Sequence, residues 1–124
     1  MPNKKRILLI EDETDLVELY KLKLEEAGYE LKTATKGYEG LELAKKEEPQ
    51  LILLDIILPQ MDGFAVLKEL KSDKATQHIP IILLTNLGQK TDIEKGQKLG
   101  ADDYLVKANL TPTQIIAKIK SYLK

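Results

Sequence analysis

With 124 residues, 19 of them basic and 20 acidic, the chain has the length of one domain and a net charge of −1. Its composition, 43% hydrophobic and 31% charged, is that of a globular protein, and the balanced charge argues against the basic footprint of a direct nucleic-acid binder. No apolar run approaches the ~20 residues of a membrane span, and the lack of cysteine excludes disulfides, thiolate metal sites and cysteine nucleophiles. The basic lead-in of MPNKKRILLI is followed by only a short apolar run before Glu11, too short for the core of a signal peptide. A cytoplasmic protein without membrane insertion is the expectation.

Arg6 to Ile10 reads as a buried strand that ends in Glu11, Asp12, Glu13, Thr14 and Asp15. From Leu16 to Ala27, the residues Val17, Tyr20, Leu24 and Ala27 share one helical face, widened by Leu16 and Leu19, and Gly28 stands at the C-cap. Tyr29 to Ala34 predicts an edge strand. Lys36 to Glu47 predicts a helix with Tyr38, Leu41 and Ala44 at helical spacing, stopped by Pro49. Leu51 to Leu54 is an unbroken aliphatic run, as in a strand covered on both faces, and it delivers Asp55.

A helix from Phe64 to Ser72 follows, with Phe64, Leu67 and Leu70 inward. Pro80 opens a strand from Ile81 to Leu84 that ends in Thr85. Gln89 to Leu99 is the weakest helix, with few large apolar residues and Gly96 within it. Asp103 to Val106 is a short strand ending at Lys107. Thr111-Pro112 then starts a helix with Ile115, Ile116, Ile119, Tyr122 and Leu123 inward. Lys118, Lys120 and Lys124 read as its solvated face.

Five strand-helix alternations with short connections predict an α/β fold, a doubly wound five-stranded parallel sheet of order 2-1-3-4-5 of the flavodoxin-like (βα)5 type. Ligands then bind outside the carboxyl ends of the strands, where Glu11, Asp12, Asp55, Thr85 and Lys107 would gather. Carboxylates ~5 Å apart repel by about 3 kcal/mol per pair at an effective dielectric near 20. A lysine offsets part of this and a hard divalent cation such as Mg²⁺ offsets more. Such a cluster suits phosphoryl transfer onto an acid.

Glu11-Asp12, the run D-x-x-L-P-x-M-D-G from Asp55 to Gly63, Thr85 and Tyr104-x-x-Lys107 together resemble the receiver domain of two-component response regulators, over the whole chain, residues 1–124. The resemblance implies a phosphoacceptor at Asp55, served by a sensor histidine kinase, a phosphotransfer protein or a small donor such as acetyl phosphate. It implies Mg²⁺ on Asp12, Asp55 and the backbone carbonyl of Ile57, with Glu11 acting through bound water. Lys107 would pair with Asp55 and then with the phosphoryl group, Thr85 would hydrogen-bond that group, and Tyr104 would turn inward behind it. The fourth helix, fifth strand and fifth helix would present the change to a downstream output protein or domain. The implied role is a signalling switch and not an enzyme, as a monomer or weak dimer.

Two positions depart from the family pattern. Ala108 follows Lys107 where proline with a cis bond is usual, and a trans bond is expected here because cis before a non-proline residue costs about 2.5–4 kcal/mol. Asn86 follows Thr85 where a small residue is usual, which would either crowd the site or add a hydrogen bond. The apolar Ile57 and Leu87 cannot position an attacking water, so a slowly hydrolysing acyl phosphate is expected. Asp62-Gly63 reads as a turn and helix cap, and His78 as exposed. A flavodoxin-type carrier would need a phosphate-cradling loop where this chain has acids, and an aspartyl phosphatase would want an acid in place of Ile57. The competing function is a receiver-like interaction module with impaired phosphorylation.

Overall fold

The computed structural model describes residues 4–123. Its elements are β1 (Arg6–Ile10), α1 (Thr14–Glu26), β2 (Glu30–Ala34), α2 (Gly37–Glu47), β3 (Leu51–Leu54), α3 (Gly63–Ser72), β4 (Ile81–Thr85), α4 (Lys90–Lys98), β5 (Asp103–Val106) and α5 (Pro112–Tyr122). The strands pair in parallel in the order β2-β1-β3-β4-β5, as the alternation predicts. β2 is indeed an edge strand.

Side chains alternate across each strand and so divide the core into two layers. Ile7, Leu9, Leu51, Leu53, Ile82 and Leu84 pack with Tyr20 and Leu24 of α1 and with Ile115, Ile116 and Ile119 of α5. Leu8, Ile10, Ile52, Leu54, Ile81 and Leu83 face Ala44 of α2 and Phe64, Val66, Leu67 and Leu70 of α3. Every residue of β3 and β4 is buried, which is why these strands are continuous aliphatic runs.

Two aromatic side chains stand outside the positions their spacing predicts. Tyr38 is 48% exposed, and the inward face of α2 is made by Gly37, Gly40 and Ala44. A Cβ on Gly40 would lie 2.4 Å from Ile10 Cδ1, so the helix sits against β1 at a separation only glycine permits. Tyr122 is 37% exposed rather than inward. Its hydroxyl donates to Asp103 Oδ2 at 3.0 Å and to the Asp102 carbonyl at 3.3 Å, trading burial for a polar tie between α5 and β5.

Helix termini follow their sequence signals. Asp62 caps α3 by accepting from the Ala65 amide at 3.1 Å, and Thr111 forms a capping box with Gln114 at the start of α5. Gly28 takes φ +96° just past α1, a left-handed conformation that glycine enters without a Cβ penalty. His78, Lys118 and Lys120 are exposed, while Lys124 lies outside the described residues.

Gly40→Ala should destabilise the domain by about 1–3 kcal/mol through overpacking against Ile10. Ile10→Val in the same chain should recover part of that loss, because it removes the methyl group in the way. Chemical denaturation of the two single variants and the double variant measures this, and strictly additive losses would refute the contact.

Candidate functional site

Parallel register brings the chemistry-bearing residues to one edge. Ile10 pairs with Leu54, so Glu11 and Asp55 are the next residues out on adjacent strands, and the Asp55 amide donates to the Ile10 carbonyl at 3.0 Å. Thr85 pairs with Val106, so Lys107 leaves the sheet beside the end of β4. Glu11, Asp55 and Thr85 are 1%, 4% and 0% exposed, while Asp12 is open to solvent.

The Lys107 ammonium joins the two buried acids. It donates to Asp55 Oδ2 at 3.0 Å and also to Glu11 Oε1, a contact the sequence reading did not foresee. The remaining oxygens are occupied locally. Asp55 Oδ1 accepts from the Ile57 amide at 3.1 Å, and Glu11 Oε2 from the Glu13 amide at 3.1 Å. Burial pushes the Glu11 carboxyl up to about 7, with the Asp55 charge adding to the rise and the Lys107 hydrogen bond opposing it. Burial pulls the Lys107 ammonium down, but its bonds to Glu11 and Asp55 outweigh this and hold it above its usual value.

The other sequence-derived residues surround this pair. Thr85 Oγ1 accepts a long bond, 3.4 Å, from the Leu87 amide. Tyr104, half-buried on β5, donates its hydroxyl to the Leu87 carbonyl, so the Tyr104 ring ties β5 to the loop after Thr85. Burial, followed by the charges of Asp92 and Asp55, pushes the Tyr104 phenol up to about 12. The Ile57 side chain is 56% exposed at the rim, and Asn86 is exposed nearby. The Lys107–Ala108 bond is trans, and Lys107–Asn109 form a single 3₁₀ turn that lets Lys107 reach Asp55 without a proline.

Sequence reasoning missed the backbone role of Gly63. A Cβ there would fall 2.2 Å from the Asp55 carbonyl oxygen, so the glycine allows the start of α3 to lie directly on the chain that carries the acid. The Asp62-Gly63 pair could have signalled this, since glycine marks close backbone approach as well as turns.

One carboxylate oxygen each from Glu11, Asp12 and Asp55 lie within 4.8 Å of one another. All three are hard oxygen donors gathered beside a single lysine, the kind of site a divalent cation favours. The donor set therefore fits Mg²⁺.

The response regulator receiver domain model matches residues 7–120. The chain belongs to the receiver domains of two-component response regulators. This receiver domain is 40% identical over 119 residues to the DNA-binding dual master transcriptional regulator RpaA of Synechocystis, covering 96% of this chain and 49% of that protein. It is 40% identical over 120 residues to the alkaline phosphatase synthesis transcriptional regulatory protein PhoP of Bacillus subtilis, covering 97% of this chain and 49% of that one. It is also similar to the solved structure of a CheY-like response regulator receiver domain protein from Methanospirillum hungatei, with a TM-score of 0.89 and 31% identity over 98% of this chain and 94% of the other. The chain spans about half the length of the curated relatives it matches. Receiver domains bind Mg²⁺ in an acidic pocket and interact with histidine kinases and output domains, and an acidic pocket is present here. Among the described residues no helix is long and apolar enough to cross a membrane.

The Glu11 shift has a pH consequence in cation-free solution. Between the ordinary value of 4.5 and about 7, the folded chain keeps a proton on Glu11 that the unfolded chain has released. Stability from this group is therefore full below pH 4.5 and is lost as pH rises through about 7. Glu11→Gln should flatten that slope and melt above the wild type at pH 8, by about 3–6 °C for each kcal/mol gained. Melting curves in chelator that stay parallel from pH 4.5 to 8 would contradict the assignment.

Proposed function

We propose that this receiver domain is a phospho-accepting switch in which an Asp55 carboxylate oxygen takes a phosphoryl group. The observation that carries the proposal is the setting of Asp55, 4% exposed at the carboxyl edge of the sheet, 3.0 Å from the Lys107 ammonium and close to two further acids. The donor is a phosphohistidine on a sensor histidine kinase or phosphotransfer protein, or a small acyl phosphate such as acetyl phosphate. An Asp55 oxygen forms the new P–O bond while the P–N bond of phosphohistidine breaks and imidazole leaves with a proton. With acetyl phosphate the breaking bond is P–O and acetate leaves.

Lys107 already holds Asp55 Oδ2, and in the product it pairs with a phosphoryl oxygen. Thr85, at the end of the neighbouring strand, supplies a hydroxyl to the same group. Asp12, Asp55 and the Ile57 carbonyl would hold Mg²⁺, with Glu11 contacting it through water. When bound, Mg²⁺ neutralises charge on the phosphoryl oxygens. Phosphorylation adds about −1.5 to −2 charges beside Thr85 and Lys107. The response passes through Tyr104 to the surface of α4, β5 and α5, where an output protein or domain reads it. Residues 1–124 act as one receiver domain, in the cytoplasm, as a signalling unit and not an enzyme. DNA contact, which the name of RpaA describes for that protein, would belong to an output domain.

The intact mass of the chain should rise by one phosphoryl group after incubation with Mg²⁺ and acetyl phosphate. Asp55→Asn should gain none, and chelation of Mg²⁺ should suppress the gain. With Ile57 and Leu87 at the rim, the label should persist well beyond seconds after donor removal. Failure of the wild type to label, or equal labelling of Asp55→Asn, would overturn the proposal and favour an interaction module with impaired phosphorylation.

A further inference from the structure

Tyr20 on α1 is the residue the site leaves unexplained. It is 2% exposed, and its ring packs in the layer shared with α5. A tyrosine in such a core normally sends its hydroxyl to a partner. The hydroxyl of Tyr20 makes no hydrogen bond to any described residue, and it is not among the sealed polar atoms of the interior. Tyr20 lines an open groove of about 390 Å³ between the start of α1 and the turn that leads into α5. Lys107 and Asn86 line the same groove, with Leu16, Leu110 and Ile115 as its apolar wall.

Lys107 has a matching deficit. Its ammonium carries three N–H donors, and only two have partners among the described residues, Glu11 Oε1 and Asp55 Oδ2. The side chain is 8% exposed, so the third donor has little access to bulk solvent. Glu13 also lines the groove, but its carboxylate forms no ion pair with Lys107 within 4 Å. A largely buried ammonium with one donor to spare and a hydroxyl that reaches the groove thus border one open groove. Burial raises the Tyr20 phenol, and among the charges acting on it that of Lys107 is the largest and opposes the rise, as expected for a nearby cation.

We propose that the Tyr20 hydroxyl positions the Lys107 ammonium through one water in the groove, which accepts the third Lys107 N–H and donates to the hydroxyl. The inference rests on the reading of Asp55 as phosphoacceptor and adds a residue to it. Tyr20 touches neither donor nor phosphoryl group, so it acts through Lys107 alone.

Tyr20→Phe tests this without disturbing the packing of the ring. The rate of labelling by acetyl phosphate at saturating Mg²⁺ should fall about three- to tenfold, the worth of one hydrogen bond. The carbon NMR signal of the Lys107 Cε, assigned by its loss in Lys107→Arg, should shift in Tyr20→Phe and stay in place in Glu13→Gln. Melting temperature reports packing and should change little. A Lys107 signal that does not move in Tyr20→Phe overturns the inference whatever the rate does. A shifted signal with an unchanged rate also overturns it, since the contact would then not serve the reaction. Failure of the wild type to label defeats the Asp55 reading instead, and the Lys107 signal then decides alone whether Tyr20 holds the ammonium.

Discussion

One buried ammonium between two buried carboxylates is the interaction on which the site depends. Lys107 bonds Asp55 and Glu11 together, and Asp12 adds a third acid within reach. Holding two carboxylates out of water costs several kcal/mol per ion before any pairing, and a single lysine cannot neutralise three acids. Once Glu11 releases its proton, above about pH 7, the arrangement carries net negative charge, most of it in a setting with little water to screen it. That excess favours a divalent cation.

Such a cluster can persist because the sheet around it is rigid and its register leaves no choice. Glu11 and Asp55 each follow a residue paired across β1 and β3, and a slip of one position would send both acids into an apolar layer. Glycines complete the constraint from the helix side. Gly63 lets α3 rest on the Asp55 carbonyl, and Gly40 lets α2 close on Ile10, the residue just before Glu11. Asp55 is thus held by a backbone contact that admits no side chain, and the strand before Glu11 by close packing of α2 on the Ile10 side chain.

The sequence made the strands, their order and the residues at the carboxyl edge legible because each depends on local pattern. Leu51 to Leu54 announces a strand covered on both faces, and the alternation of elements limits the topology. What it concealed depends on contacts between distant segments. Helical spacing suggested Tyr38 for the inward face, but the close approach of α2 to β1 excludes a large side chain, and Gly40 takes the contact. Tyr122 has the right spacing for the core, yet Asp103 offers its hydroxyl a partner at the surface. The bond between Lys107 and Glu11 spans nearly the whole chain, and no spacing rule separates it from the bond to Asp55. Asn86 is placed at the groove rim, whereas its effect on a phosphoryl group is a question of chemistry and not of fold.

The same contacts explain how a local charge can reach a surface. Tyr104 donates to the Leu87 carbonyl, two residues beyond Thr85, so the ring of β5 is bonded to the loop that any movement of Thr85 would pull. Against that ring lies Gly96 of α4, where an added Cβ would meet Tyr104 at 3.2 Å and Leu83 at 2.7 Å. α4 buries only this glycine fully, with Ile93 and Leu99 half-buried and Lys95 resting 4.5 Å from the Phe64 ring centre. A helix held by one glycine and a few partial contacts forfeits little free energy when it shifts, whereas α3, with Phe64, Val66, Leu67 and Leu70 buried, would forfeit much. The low helix propensity and sparse apolar face of α4 are therefore what a responsive element requires. Buried throughout, β3 and α3 have less room to yield than α4, so under the proposed role α4 is the element positioned to respond.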